Sequence, residues 1–154
     1  MNDIEARRII ETEIAPALRL FTSRQDGTLH ELNLALSQLG GDIERWPRDI
    51  DWPDDFEPVS KYVDIRQKIV FQWPELGFYD DSDGSEFLKI IPELIGDAVD
   101  DLSDITLDLM ETIEIAAISA VKALSQLHFS YDTHLKWHFK GLKKYLDLKT
   151  SSET

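Results

Sequence analysis

The fold of this chain is constrained most by an apolar stripe between residues 98 and 113. Its members recur every three or four residues: Ala98, Leu102, Ile105, Leu109 and Ile113. This period places them on one face of an α-helix, and that face must pack against other helices. A half-buried strand would instead alternate apolar and polar residues, and no segment of the sequence does so. The sequence therefore predicts an all-α fold.

Two helices are predicted in the first part of the chain. The first spans about residues 3–23, where Pro16 should kink or divide it. The second begins with Thr28 as its N-cap, and Glu31 three residues later completes the capping-box pattern. Its apolar stripe stops at Gly40-Gly41, so we expect the helix to end there.

A third helix and a long last helix complete the predicted bundle. Pro58 suits the first turn of the third helix, and Pro74 ends it. Its pattern is Val59, Tyr62, Val63, Arg66, Ile69 and Val70. The last helix runs over about residues 117–146, with a break near Ser130, because Phe129 would otherwise point to the polar side.

The length of the chain indicates one domain. Its 154 residues can bury a continuous core, and seven glycines and six prolines are too few for a low-complexity chain. We expect a single helical domain over residues 1–150, built as a bundle of about five helices with a long C-terminal helix. Residues 151–154 are predicted to form a disordered tail.

The charge of the chain is strongly negative. Its 30 acidic and 16 basic residues give a net charge of -14. Such a field repels phosphate backbones and anionic membrane surfaces, and it attracts cations and basic proteins. Residues 80–114 alone hold twelve carboxylates and one lysine, a sum of -11. We therefore expect neither nucleic acid nor a membrane as a ligand. These carboxylates either attract a partner or form solvated helix faces.

An acidic loop joins the second and third helices. Residues 42–58 include three prolines, two tryptophans and seven carboxylates. The tryptophans either anchor the loop on the body of the protein or project from it as a binding surface. Aromatic residues surrounded by charge are usual where a protein attracts and then holds a partner. The residues predicted to contact a partner are Trp46, Asp51, Trp52, Asp54 and Asp55.

Cysteine usage and the first residues of the chain indicate the compartment. The chain has no cysteine, which excludes disulfides, thiolate catalysis and cysteine-bound zinc. Its first ten residues, MNDIEARRII, include acidic residues where a signal peptide needs a positive segment, and no apolar segment follows. The longest apolar run, IEIAAISAVKAL, is too short and too charged to cross a bilayer. We expect a cytoplasmic protein.

A pair of histidines near the end of the chain is a candidate ligand site. The segment THLKWHF places His134 and His138 one helical turn apart, so both can bind one metal ion. Asp101, Asp104 or Asp108, beside the apolar face of the fourth helix, would complete a two-histidine, one-carboxylate set for zinc or iron. Alternatively, the imidazoles are half buried and bond to aspartates or tyrosine hydroxyls that link two helices.

The sequence contains no motif of the common enzyme classes. It has no glycine-rich phosphate loop and no serine in a G-x-S-x-G setting. Leu135 follows the first histidine of the pair, where HExxH metalloproteases have a glutamate. The DDSDG segment has Tyr79 and Ile90 where a calcium loop needs ligands, which predicts a solvated turn. We therefore expect a protein without enzymatic activity.

Three segments carry a family resemblance: FQWPELGFYD, GDAVDDLSDITLDL and FSYDTHLKWHFKGLKKYL. Over roughly its last two thirds, the chain resembles a bacterial helical family catalogued only as a domain of unknown function, number five thousand and sixty-three in that series. The final helix of that family has an acidic residue, a threonine and two histidines four residues apart, matched here by Asp132, Thr133, His134 and His138. The residues between the histidines differ, because the family usually has Trp-Gly and a basic residue there. The resemblance implies a helical fold and no particular activity.

Two functions are predicted. The first is that of a non-enzymatic cytoplasmic protein, without a cofactor, that binds a basic or cationic protein partner through an acidic surface. An immunity protein that neutralises a basic toxin has this profile. The second is binding of a metal ion or small ligand within the bundle by His134, His138 and a nearby aspartate.

Overall fold

The computed structural model describes residues 1–48, 56–86 and 94–151, which form a bundle of helices. The helices are α1 (Asp3–Ile9), α2 (Ala15–Ser23), α3 (Leu29–Ile43), α4 (Tyr62–Gln72), α5 (Ala98–Ala116), α6 (Ala120–Ser130) and α7 (Lys136–Ser151). Wide π-helical turns at Ile10–Ile14 and Tyr131–Leu135 join α1 to α2 and α6 to α7. The described residues thus form five continuous helical rods. The predicted all-α bundle with a long C-terminal helix is confirmed.

The first helical rod, residues 3–23, runs through Pro16 without a break. Proline has no N–H to donate to the carbonyl four residues earlier, so it normally disrupts a helix. Here the turn before it is widened, and the Ala15 N–H donates to the Ile10 carbonyl five residues back. The predicted kink therefore takes the form of a π-helical turn.

Helix α3 begins at the predicted N-cap, Thr28, but ends later than predicted. The Thr28 side chain accepts the Glu31 N–H at 3.1 Å. The predicted capping box is only half formed, because the Glu31 carboxylate accepts the Thr28 hydroxyl at 3.5 Å instead of the Thr28 N–H. The helix continues past Gly40-Gly41 to Ile43, so the predicted end is wrong. Gly40 is buried and faces the Phe139 ring of α7, and Ile43 is also buried. Packing against α7 therefore outweighs the low helix propensity of the two glycines.

Helix α4 begins at Tyr62, so the predicted start at Pro58 is wrong. The residues before it are held in another way, by the Glu114 carboxylate of α5. This carboxylate accepts the Val59 N–H at 3.1 Å and the Ser60 N–H at 3.0 Å. The bonds tie this segment to α5 instead of leaving it in a helix.

The buried side of α4 also differs from the predicted pattern. Ile65 and Ile69 face the core. Val63 and Val70 are exposed, and Phe71 has 81% of its surface in solvent. The predicted stripe included both valines and omitted Ile65, because apolar residues occur on more than one side of this helix. Its apolar period therefore does not identify the buried side.

Two short strands form an antiparallel ribbon beside the bundle. They are β1 (Phe78–Asp80) and β2 (Ile95–Asp97), with Phe78 opposite Asp97. The sequence predicts no strand, because three residues are too few to show an alternating pattern, and this prediction is wrong for the six residues. The ribbon leads directly into α5, whose N-cap is Asp97; its carboxylate accepts the Val99 N–H at 3.0 Å.

Helix α5 lies at the centre of the bundle and contacts α2, α4, α6 and α7. Its predicted stripe is buried at Ala98, Leu102, Ile105 and Leu109, whereas Ile113 is partly exposed. The side of α5 beside this stripe carries aspartates, and it packs against the last helical rod, residues 120–151. The widened turn of that rod starts at Tyr131 and takes the place of the predicted break near Ser130.

Helix α7 extends through Ser151, the first residue of the predicted tail, and residues 152–154 lie outside the described residues. In the described ranges, no helix combines the length and the apolar composition that are needed to span a membrane.

Trp73, at the end of α4, packs this helix against the first helical rod, residues 3–23. Its side chain is fully buried, and its indole N–H donates to the Phe21 carbonyl at 2.9 Å. The Arg24 guanidinium lies 4.2 Å from the centre of the ring and bonds to Glu75 at 2.6 Å. One side chain therefore supplies apolar burial, a hydrogen bond and a cation–π contact.

We expect Trp73→Phe to lower the free energy of unfolding by about 2–4 kcal/mol, because it leaves a cavity and a buried carbonyl without its donor. Trp137→Phe is the matched control, because Trp137 is 69% exposed and should tolerate the change. Urea unfolding followed by circular dichroism measures both. Equal stability losses in the two variants would contradict this role of Trp73.

Candidate metal centre

The candidate metal centre lies in the seam between α5 and the last helical rod. Asp101 and Asp104 project from α5, while His134 lies in the π-helical turn Tyr131–Leu135 and His138 lies in α7. Packing buries Asp101, half-buries Asp104 and His138, and leaves His134 exposed. The structure therefore brings four of the five predicted ligand residues together at the edge of the core.

Three ligand atoms converge on the solvent side of the seam. His138 Nε2 lies 3.1 Å from Asp104 Oδ2 and 3.3 Å from His134 Nε2. A ligand atom from each of the three residues lies within 4.8 Å of the other two. An ion with bonds of about 2.0–2.2 Å holds neighbouring ligand atoms roughly 3.0–3.5 Å apart. The two separations from His138 Nε2 therefore match the edges of a coordination polyhedron.

The other nitrogen of His138 faces the protein interior. Its Nδ1 lies 2.8 Å from Asp101 Oδ1. The second oxygen of Asp101, Oδ2, accepts the hydroxyl of Tyr79 at 2.5 Å. Tyr79 belongs to β1 and is buried. A polar chain thus runs from the ribbon through α5 to α7, and both oxygens of Asp101 have partners within it.

A second group of potential metal ligands also includes His138. Ligand atoms of Asp100, Asp101 and His138 also lie within 4.8 Å of one another. However, the Asp100 carboxylate accepts the Tyr62 hydroxyl, just as Asp101 accepts that of Tyr79. Because both carboxylates already have tyrosine donors, the group containing Asp104 and His134 is better suited to an external ion.

Asp108, the remaining predicted ligand, has a different partner. The hydroxyl of Ser130, the residue before the π-helical turn, donates to its Oδ2. Among the described residues, Asp108 belongs to neither of the two metal-ligand groups. It fixes the start of the turn that carries His134, and we therefore place it outside the candidate coordination set.

The seam concentrates negative charge in a partly buried place. Burial raises the pKa of Asp101, Asp104 and Asp108, and in Asp101 it outweighs the opposing hydrogen bonds from His138 and Tyr79. The hydrogen bond to Asp101 raises the pKa of His138, and desolvation opposes that rise. Protonated His138 can donate from Nδ1 to Asp101 and from Nε2 to Asp104. A divalent cation in place of the proton on Nε2 would favour the ionised carboxylates more strongly.

The predicted partner-contact residues are only partly described. Trp46 is 7% exposed, and its carbonyl accepts His128 Nδ1–H at 2.8 Å. Nearby, Arg48 bonds to Asp132 at 2.7 Å. Trp46 is therefore an anchor of the loop and has little surface to offer a partner. The other four predicted contacts, Asp51, Trp52, Asp54 and Asp55, lie outside the described residues.

Sequence reasoning missed Tyr79, which completes the polar chain. Two glycines inside regular elements were the available signal. A methyl group at Gly96 would overlap the Tyr79 ring, and one at Gly141 would overlap its hydroxyl. Glycine in the middle of a strand or helix is unfavourable, and it indicates that another group approaches closely. Neither glycine, however, identifies the approaching group.

Comparisons with known proteins gave no relatives. No family model matches the chain, and no curated protein or solved structure matches it either. The resemblance to the helical family of unknown function therefore stays a prediction.

One carboxylate near the seam should make stability depend on pH. Burial, together with the charges of Asp108 and Glu114, raises the pKa of Glu111 to about 7 from 4.5. The folded chain therefore holds this proton more tightly than the unfolded chain. The stabilisation is complete below pH 4.5 and is lost as the pH rises through about 7.

We expect Glu111→Gln to remove this loss of stability at rising pH. Because the carboxyl is only half buried, its contribution should be about 1–2 kcal/mol, less than the full shift implies. Urea unfolding in the presence of a chelator, at several pH values across that window, measures the slope. Glu11→Gln, which removes an exposed carboxylate, is the matched control. Identical slopes in the wild type and Glu111→Gln would refute the assignment.

Proposed function

We propose that this protein binds one divalent transition-metal ion, zinc or iron, through His134, His138 and Asp104. The observation that carries the proposal is the convergence of two imidazole nitrogens and a carboxylate oxygen. His138 Nε2 lies 3.1 Å from Asp104 Oδ2 and 3.3 Å from His134 Nε2. Two imidazoles with one carboxylate suit zinc and iron(II) better than magnesium or calcium, which prefer oxygen ligands.

The charge around the site supports a cation over an anion. Asp100, Asp101 and Asp108 lie close to the proposed ligands, and two of these three have raised pKa values because of burial. Burying carboxylates near one another costs free energy, which a bound cation offsets. The acidic segment of the sequence thus contributes to a partly buried seam, which makes metal binding the better supported of the two predicted functions.

The number of protein ligands leaves room for further ones. Structural zinc sites are closed by four protein ligands, whereas three leave a position for water or substrate. His134 is exposed, so that position would be open to solvent. When bound, zinc would lower the pKa of its water, and iron(II) would offer open positions to small ligands.

Metal titration tests the proposal. Apo protein prepared with a chelator should bind one zinc or iron(II) ion per chain, measured by calorimetry and elemental analysis. Single variants His134→Ala, His138→Ala and Asp104→Asn should each weaken the affinity by more than about 100-fold, because a direct ligand is lost. His30→Ala is the control, because His30 is exposed on α3 and belongs to neither metal-ligand group of the described residues.

Two results would contradict the metal proposal. One is a wild-type chain that stays metal-free after incubation with zinc and iron(II). The other is metal binding that survives in all three ligand variants, which would place the ion elsewhere.

We also propose, as a second candidate, that the protein binds a basic protein partner. An exposed apolar face on α4 favours this function. Val63, Val70 and Phe71 of α4 are exposed, and exposed apolar patches often mark protein contacts. The net charge of -14 would attract a basic partner to such a face.

Crosslinking tests the second candidate. A basic partner should be captured by the wild-type chain, be lost with Phe71→Asp, and bind more weakly as salt is added. Ile118→Asp is the matched control, because Ile118 is also an exposed apolar residue but lies between α5 and α6. Capture that is indifferent both to salt and to Phe71→Asp would count against this candidate.

A further inference from the structure

We infer that Tyr79 and Asp101 are positioning residues that keep His138 in the tautomer whose Nε2 is free to bind a metal ion at the proposed site. The inference rests on the proposed metal site. The hydrogen bonds of the inner polar chain carry it: Tyr79 hydroxyl to Asp101 Oδ2 at 2.5 Å, and Asp101 Oδ1 to His138 Nδ1 at 2.8 Å.

The two nitrogens of His138 have competing acceptors. Asp101 lies beside Nδ1, and Asp104 lies 3.1 Å from Nε2. A neutral imidazole carries one proton, and the nitrogen without it has the lone pair that binds metal. If the proton were on Nε2, it would bond to Asp104 and block two of the three proposed ligands, His138 and Asp104. With the proton on Nδ1, bonded to Asp101, the Nε2 lone pair points to the site.

The surroundings of Asp101 make it the stronger acceptor, so the proton stays on Nδ1. Its side chain is more deeply buried than that of Asp104, 9% against 19% exposed, so its hydrogen bond to His138 is less weakened by water. The contact is also shorter. Hydrogen bonding of the second ring nitrogen to a carboxylate is a general way in which proteins fix a metal-binding imidazole.

Tyr79 in turn fixes Asp101. Its hydroxyl donates to Oδ2, which leaves Oδ1 directed at His138 and keeps the carboxylate from turning toward the proposed metal site. Close packing holds the tyrosine there: its ring stacks on Tyr145 with centroids 5.2 Å apart. Gly96 and Gly141 give it space, since a methyl group at either position would overlap it. Both glycines thus have a role in positioning His138.

The amide variant Asp101→Asn gives a sharp test. The Tyr79 hydroxyl would still donate to the amide oxygen, so the amide NH2 would face His138 Nδ1. That nitrogen would then have to accept, and the proton would move to Nε2. We expect zinc affinity to fall about 10- to 100-fold, the usual effect of losing a supporting hydrogen bond. Tyr79→Phe should act in the same direction, by about tenfold at most.

The tautomer itself can be read without metal. In chelator-treated protein with 15N-labelled histidine, at a pH where His138 is neutral, two-bond proton–nitrogen correlations identify the protonated ring nitrogen. We expect Nδ1–H in the wild type and Nε2–H in Asp101→Asn. Tyr145→Phe is the matched control, because it also removes a buried hydroxyl beside Tyr79 but not one that contacts Asp101. It should keep the Nδ1–H tautomer and the zinc affinity of the wild type.

The outcomes separate this inference from the proposed function. Wild-type His138 in the Nε2–H form, or an unchanged tautomer in Asp101→Asn, overturns the positioning role whether or not zinc binds. The expected tautomers in a chain that binds no zinc would instead overturn the metal site and support the hydrogen-bond assignment. If Tyr145→Phe weakened zinc binding as much as Tyr79→Phe, the effect would be general loosening of the core, and the role of Tyr79 would be refuted.

Discussion

The structure depends on how α5 buries carboxylates beside its apolar stripe. This helix is central, and its contacts with α2, α4, α6 and α7 leave it no fully solvated side. Ionised groups are costly to bury unless they have hydrogen-bond donors or opposite charge. The neighbouring elements supply them: Tyr62 bonds to Asp100, Tyr79 to Asp101 and Ser130 to Asp108. The elements packed around α5 therefore supply the hydrogen-bond donors that its buried carboxylates need.

Two irregular features meet this need in the seam. The first is the π-helical turn Tyr131–Leu135, which changes the phase of the last rod and places His134 over α5. Such turns occur often at functional sites. The second is the ribbon of β1 and β2, which brings the Tyr79 hydroxyl to Asp101 of α5. Asp104 differs from Asp100, Asp101 and Asp108, which accept hydroxyl hydrogen bonds, because its one ion-pair or hydrogen-bond partner among the described residues is His138. The lone pairs of the Asp104 carboxylate that have no donor in this structure are available to an external cation.

The two proposed functions use separate surfaces. The proposed metal ligands lie between α5 and the last rod, whereas the exposed apolar residues lie on α4. The acidic composition bears on both, through a local field that favours a cation and a general field that favours a basic partner. Loss of one function by mutation therefore need not affect the other, and the variants at each surface can be interpreted independently.

The sequence by itself determined the helical class, the approximate positions of the rods, the N-cap at Thr28 and the spacing of His134 and His138. These follow from local rules, because helical period and capping depend on residues within a few positions of one another. It also indicated that Asp101, Asp104 and Asp108 lie near the buried side of α5. It did not distinguish their roles. Nor did it predict the ribbon or the buried side of α4.

Only the tertiary structure decided which aspartate faces which nitrogen of His138. That choice depends on Tyr79 and Gly141, which are 62 positions apart in the sequence and meet only because the ribbon packs against α7. Likewise, Gly40-Gly41 stays helical because Phe139 packs over Gly40. Local propensities amount to about 1 kcal/mol per residue, and contacts between distant segments outweigh them where the core closes.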